Sequence, residues 1–112
     1  MTAVRRVPLD ECVPARLRRE ISGFEVRAVR EYGWASKLDG ALLQAADREF
    51  DALVTVDRNL VYQQNLAGLR LAIVVLVVYS NSIHGIRPLL PRLIPLLATV
   101  APGQVAHLGP PG

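Results

Sequence analysis

Blocks of apolar residues recur along the chain with two different spacings, and they predict strands and helices in alternation. Residues 69–79 (LRLAIVVLVVY) form an almost unbroken β-branched run, which is typical of a strand covered on both faces. Residues 24–29 (FEVRAV) instead alternate apolar and charged positions, as a strand near the edge of a sheet does. The predicted strands are residues 4–9, 24–29, 52–56, 69–79 and 104–108.

Leucine, alanine and aromatic residues at helical spacing fall between these strands. The predicted helices are residues 13–23, 38–50 and 86–103, and a polar excursion with room for one short helix covers residues 57–68. We expect the last helix to be kinked, because Pro95 falls in its interior and cannot donate a backbone hydrogen bond. Residues 80–85 (SNSIHG) are expected to form a loop, and Pro8 weakens the first strand because it lacks an N–H.

Strands that alternate with helices predict an α/β fold, in which a mostly parallel central sheet carries helices on both faces. Such an arrangement is a three-layer α/β/α sandwich. The chain has 112 residues and is 51% hydrophobic, which suits one domain with its own core. We expect this domain to cover residues 1–108 and residues 109–112 to form a disordered tail.

The positions of the acidic residues limit carboxylate chemistry to the first half of the chain. The formal net charge is +3, and all ten Asp and Glu residues lie between Asp10 and Asp57. The single cysteine, Cys12, cannot form an internal disulfide, so the cytoplasm is the expected compartment. The N-terminus lacks the apolar core of a signal peptide, and the longest apolar run, residues 71–79, is too short to span a bilayer.

Three acids that are distant in sequence are expected to meet at one edge of the sheet. Asp10 follows the first strand, Asp39 opens the helix after the second, and Asp57 follows the third. In a parallel sheet these positions share the carboxyl edge, where ligands bind. Clustered carboxylates repel one another, and hard oxygen ligands favour Mg²⁺ or Mn²⁺, which suggests metal-dependent phosphodiester hydrolysis. Helix capping by Asp10 and Asp39, and an Asx-turn at Asp57, are the structural alternatives.

Much of the chain also resembles the small bacterial PIN-like proteins, which are grouped with the toxin ribonucleases of toxin–antitoxin pairs. The motifs are an acid after the first strand, an acid that opens the helix after the second, and T-x-D after the third. The stretches that carry the resemblance are residues 8–21, 24–68 and 71–76.

The resemblance implies a PIN-like sandwich that binds Mg²⁺ or Mn²⁺ and cuts RNA. By position it assigns Asp10, Asp39 and Asp57 as the catalytic and metal-binding acids. Asn59 stands where the family often has a further acid or an amide, and its oxygen is a candidate metal ligand. The implied role is the toxin of a type II pair, with a small antitoxin protein as partner.

Several residues near these acids are secondary candidates. Glu11 is a further candidate metal ligand, and Arg58, Lys37 and Arg30 are candidate contacts to RNA phosphates. His84 follows the fourth strand and is either a proton donor at the same edge or an exposed loop residue. A homodimer is a candidate assembly.

Two other functions compete with the ribonuclease. A phosphoacceptor receiver domain also places an acid pair after its first strand and an Asp after its third, but it needs a Lys after its last strand. The chain has no Lys beyond Arg58. The other alternative is a scaffold or binding protein that keeps the fold and lacks activity.

Overall fold

The fold is taken from a computed structural model, which describes residues 5–32, 40–59, 68–80 and 82–109. Within this part of the chain, five strands form one sheet in the order β2-β1-β3-β4-β5, and every neighbouring pair is parallel. The predicted parallel sheet is therefore confirmed. The strands are β1 (Arg6–Leu9), β2 (Glu25–Ala28), β3 (Ala52–Thr55), β4 (Ala72–Leu76) and β5 (Val105–Leu108).

Helices cover both faces of the sheet. In the described ranges, the α-helices are α1 (Gly40–Glu49), α2 (Ile83–Ile86) and α3 (Leu90–Thr99), and the 3₁₀ helices are Ala15–Glu20, Val29–Tyr32 and Arg87–Leu89. Side chains of the first 3₁₀ helix, α2 and α3 share one apolar cluster with β1, β3 and β4. Leu43 and Ala46 of α1 belong to a second cluster with Leu53, Ile73 and Val75. The chain is therefore an α/β protein with a helical layer on each side of a parallel sheet.

The burial of β4 explains why its sequence is so uniformly apolar. All five of its residues are buried. Val74 packs into the cluster of α2 and α3, whereas Ile73 and Val75 pack toward α1, because successive side chains of a strand point to opposite faces. A strand with helices on both sides needs apolar residues at every position.

Pro8 occupies β1, which is a central strand because β2 and β3 flank it. The backbone N–H of Arg6 points toward β3 and donates to Asp51 Oδ2 at 2.8 Å. The N–H of Asp10 also points that way and donates to Val54 O at 2.9 Å. The nitrogen of Pro8 lies between them on the same side and has no hydrogen to donate. The expected weakness is thus confined to one side: β1 pairs with β2 over four described residue pairs and with β3 at one.

The first predicted helix is shorter than expected. A helix was predicted over residues 13–23, and the structure forms a 3₁₀ helix over Ala15–Glu20. Leu17 is buried in it, with Val13 and Ile21 buried on either side. These apolar positions have helical spacing, which reveals the buried face but does not distinguish 3₁₀ from α hydrogen bonding.

The prediction of a loop over residues 80–85 was wrong for its second half. α2 begins at Ile83, because the Ser82 hydroxyl accepts a hydrogen bond from Gly85 N at 3.2 Å and caps the helix. The helical path then continues through Arg87–Leu89 into α3, which contains Pro95 as predicted. In the described residues, no helix is long and apolar enough to cross a membrane.

One exposed ion pair ties the first 3₁₀ helix to the helical segment after α2. Nε of Arg87 lies 2.7 Å from Glu20 Oε1, and Nη2 lies 3.2 Å from Oε2. The hydrogen bond from Arg87 lowers the pKa of the Glu20 carboxyl below its ordinary value of 4.5. The folded state therefore gains stability from this group above that value and loses it as the pH falls through the lowered pKa.

Glu20→Gln is expected to remove this part of the acid sensitivity. The difference in unfolding free energy between wild type and variant should be largest near neutral pH and should shrink as the pH falls below about 4.5. Urea denaturation at a series of pH values measures it. Glu49→Gln is the matched control, because the Glu49 side chain makes no ion pair within the described residues. A gap between wild type and Glu20→Gln that stays constant with pH would contradict the assignment.

Candidate active site

Asp10 and Asp57 lie at the carboxyl edge of the two adjacent strands β1 and β3. Asp10 directly follows β1, and Asp57 comes shortly after β3. In the observed strand order the chain crosses from β1 to β2 on one side and continues to β3 on the other, so the topological switch point lies between these strands. Open parallel sheets bind their ligands at such a point.

The Thr55 hydroxyl links the two acids. Thr55 Oγ1 donates to Asp10 Oδ2 at 2.7 Å and accepts from the backbone N–H of Asp57 at 3.0 Å. Thr55 is completely buried, and Asp10 is only 8% exposed. The backbone N–H of Glu11 donates to the other carboxylate oxygen of Asp10, Oδ1, at 2.8 Å. Hydrogen bonds to a charged acceptor are short and strong, so the Asp10 carboxylate is held in one orientation.

Cys12 contacts both members of this link. Its Sγ lies 3.6 Å from Asp10 Oδ2 and 3.5 Å from Thr55 Oγ1. Burial raises the pKa of the Cys12 thiol, and the negative charge of Asp10 raises it further, against the opposing hydrogen bonds from Thr55 and the Val56 backbone. A thiol with a raised pKa is protonated at neutral pH and is a poor nucleophile. Cys12 thus serves as a weak hydrogen-bond donor to the carboxylate.

Asp57 forms the Asx-turn that its sequence context allows. Its Oδ1 accepts from the backbone N–H of Asn59 at 2.9 Å. The carboxylate can still accept other hydrogen bonds or bind a cation, because its two oxygens have about four lone-pair positions. Asp57 itself is half-buried, and Arg58 and Asn59 are exposed. Both side chains are therefore open to a ligand that approaches Asp57.

Part of the predicted site lies outside the described residues. Asp39 and Lys37 fall in the segment 33–39, and the side chain of Arg30 is not described, although its backbone belongs to the 3₁₀ helix after β2. Among the residues that are described, no group of three or more His, Cys, Asp or Glu side chains could hold a metal ion. The described carboxylates at this edge, Asp10 and Asp57, offer the hard oxygen donors that suit Mg²⁺ or Mn²⁺. A third carboxylate from Asp39 stays a prediction.

The remaining acids near this region have other positions. Glu11 is exposed, and its backbone rather than its side chain contacts Asp10. Glu31 forms an ion pair with Arg18. Asp51 lies at the opposite edge, before β3, where its carboxylate accepts from the backbone N–H of Arg6 at the start of β1.

Sequence reasoning missed the roles of Thr55 and Cys12. The available signal for Thr55 was a polar residue inside the apolar run ALVTV, immediately before the acid. It also missed Tyr79, which is fully exposed in the chain after β4. His84 is exposed within α2 and not in a loop.

Comparison with known proteins gave no match to any family model, curated protein or solved structure. We therefore infer the function from the chemistry of the chain's own residues and from the resemblance of its motifs.

Proposed function

We propose that the chain is a PIN-like, Mg²⁺- or Mn²⁺-dependent endoribonuclease that acts as the toxin of a type II toxin–antitoxin pair. The observation that carries this proposal is the buried Asp10 carboxylate, joined through Thr55 to Asp57 at the switch point of a parallel sheet. The resemblance in sequence supplies the reaction class.

The charge balance at this edge favours a cation. Neither Asp10 nor Asp57 forms an ion pair with any described Lys, Arg or His side chain. Their described hydrogen-bond donors are the backbone amides, one hydroxyl and one thiol, none of which carries a full charge. A buried carboxylate without a positive partner costs free energy. A divalent cation between the two acids would offset that cost.

In this proposal Asp10, Asp57 and Asp39 hold the cation, and Asn59 and Glu11 are secondary ligands. When bound, such a cation polarises a phosphoryl oxygen and generates a nucleophile from water. The Thr55 hydroxyl positions Asp10 by donating to its carboxylate. The same hydroxyl accepts from the backbone N–H of Asp57, which holds the two acids at a fixed distance from each other. Arg58, Lys37 and Arg30 are proposed to contact the RNA phosphates.

The biological setting follows from the same proposal. A toxin of this kind acts in the cytoplasm, and a small antitoxin protein covers the acidic edge. A homodimer is the proposed assembly of the toxin itself.

The receiver domain is the second candidate, and the strand order favours it. Order 2-1-3-4-5 is that of doubly wound, flavodoxin-like sheets, and Asp57 occupies the position expected of a phosphoacceptor. However, the only Lys of the chain is Lys37, and β5 ends at Leu108 without one. β5 thus supplies no lysine to pair with a phosphorylated aspartate.

Metal-dependent cleavage tests the proposal directly. Purified wild-type protein should cut a labelled single-stranded RNA with Mn²⁺ and not with EDTA, and Mn²⁺ should raise its melting temperature because it binds only the folded state. Asp57→Asn should lose about a hundredfold or more in cleavage rate, and its melting temperature should not respond to Mn²⁺.

Asp51→Asn is the matched control, because it makes the same change at the opposite edge and keeps an oxygen for the Arg6 N–H. It should cut RNA like the wild type. If wild type neither cuts RNA nor responds to Mn²⁺, the inactive scaffold is correct. Labelling of Asp57 by acetyl phosphate would instead support the receiver.

A further inference from the structure

A basic cleft lies between the first 3₁₀ helix and α2. Its volume is about 380 Å³. Three arginines and a histidine line it against one acid and one apolar residue. The lining residues are Arg16, Arg19, Glu20, Ile83, His84 and Arg87.

Three arginines share one acid, Glu20, in this cleft, so the cleft keeps an excess of positive charge. Arg87 is already paired with Glu20 through two hydrogen bonds. Arg16 and Arg19 are exposed, and neither forms an ion pair within the described part of the chain. Residues three apart on a 3₁₀ helix lie on the same side, so these two guanidinium groups face one region of solvent.

Both walls of the cleft are helical segments that begin after the carboxyl end of a strand. The 3₁₀ helix Ala15–Glu20 leaves the sheet at the carboxyl end of β1, where Asp10 lies. α2 leaves it at the carboxyl end of β4, which is paired with β3. Both helical segments that form the cleft therefore start from the edge of the sheet that carries Asp10 and Asp57.

An exposed aromatic residue lies in the chain between β4 and α2. Tyr79 is fully exposed. The adjoining Ser80 backbone packs so closely against Gly85 that a Cβ there would lie 2.4 Å from Ser80 O. Because Gly85 follows His84, the Ser80 backbone lies beside α2. Tyr79 directly precedes Ser80 and is not one of the residues that line the cleft.

We propose that this cleft binds the phosphodiester backbone of single-stranded RNA through Arg16 and Arg19, while Tyr79 stacks on a base. This inference rests on the proposed function for its choice of RNA. Arginine suits phosphate recognition, and a basic groove with an exposed aromatic is the arrangement that single-stranded nucleic acids use. An acidic protein partner is less well matched, because the centres of protein interfaces are poor in charge and this cleft has one apolar lining residue, Ile83.

Measuring RNA binding under conditions that prevent cleavage separates the contribution of the cleft from that of the active site. The probe is a fluorescently labelled 12-nucleotide oligouridylate in EDTA, and anisotropy measures its affinity at several salt concentrations. Arg16→Gln/Arg19→Gln should weaken binding roughly tenfold or more at 0.1 M salt and should lower the salt slope by about 1.4, as two lost phosphate contacts predict. Arg48→Gln/Arg70→Gln is the matched control, since it removes the same charge at the opposite edge, and it should bind within about twofold of wild type.

Substitutions at Glu20 and Tyr79 should change the affinity for RNA in opposite directions. Glu20→Gln removes the acid of the cleft and releases Arg87 from its ion pair, so it should tighten binding severalfold. Tyr79→Ala should weaken binding at least about fivefold, whereas Tyr79→Phe, which keeps the ring, should bind like wild type. A duplex of the same length should lose the contribution of Tyr79.

The results separate this inference from the proposed function. Equal losses in the two arginine double variants, or binding of poly-glutamate as tight as that of the oligouridylate, would overturn the cleft as an RNA site. Metal-dependent cleavage by the wild type together with unchanged affinity of Arg16→Gln/Arg19→Gln would overturn the cleft alone. Selective loss of affinity in that variant, with no cleavage by wild type, would support the cleft and reject the ribonuclease.

Discussion

Thr55→Val is expected to lower the free energy of unfolding by about 1–3 kcal/mol, because it leaves buried polar groups without a partner. Valine has nearly the same shape as threonine, so the packing of β3 is preserved. The substitution removes the donor to Asp10 Oδ2 and the acceptor of the Asp57 N–H in one step. If the protein is the proposed nuclease, RNA cleavage should fall as well, since Asp10 loses the contact that orients it.

Urea denaturation measures the stability change, and Thr55→Ser is the matched control. Serine keeps the hydroxyl and removes only a methyl group, so its cleavage should stay closer to wild type than that of the valine variant. A valine variant with both wild-type stability and wild-type cleavage would show that the Thr55 hydroxyl contributes nothing to the link between the two acids. Loss of cleavage without loss of stability would assign Thr55 a positioning role only.

Gly85→Ala is expected to destabilise the protein by about 1–3 kcal/mol or more, although alanine is the better helix former. A Cβ on Gly85 would lie 2.4 Å from the carbonyl oxygen of Ser80 and 3.2 Å from its carbonyl carbon. The obstacle is backbone, so it cannot rotate away as the end of a side chain can. Either the segment before α2 must move or the Ser82 cap must break.

Thermal or urea unfolding measures the stability of Gly85→Ala, and Gly109→Ala is the matched control for the steric explanation. At Gly109 the nearest atom to an added Cβ is Val77 Cβ at 3.9 Å, an ordinary van der Waals distance. That control should change the free energy of unfolding by less than about 0.5 kcal/mol. A stabilised Gly85→Ala variant would mean that helix propensity outweighs the close approach.

The local pattern of apolar residues was sufficient to predict most strands of the sheet. The run ALVTV and the apolar stretch 69–79 were recognisable as covered strands, because burial on two faces requires apolar side chains at every position. The alternation of strands and helices predicted parallel pairing, which in turn placed Asp10 and Asp57 at one edge. Pattern was misleading at residues 82–85, because Ser, His and Gly are typical of loops and the cap that starts α2 depends on the geometry of Ser82.

The sequence by itself determined the class of fold and the edge at which the two acids emerge, since side-chain periodicity and chain connectivity are local properties. Only the tertiary structure decided which groups touch. Thr55 bonds Asp10 across 45 positions, and Arg87 bonds Glu20 across 67. The basic cleft exists because two helical segments pack side by side on the same face of the sheet. Such contacts depend on how folded elements approach one another in space, and residue spacing along the chain does not encode that distance.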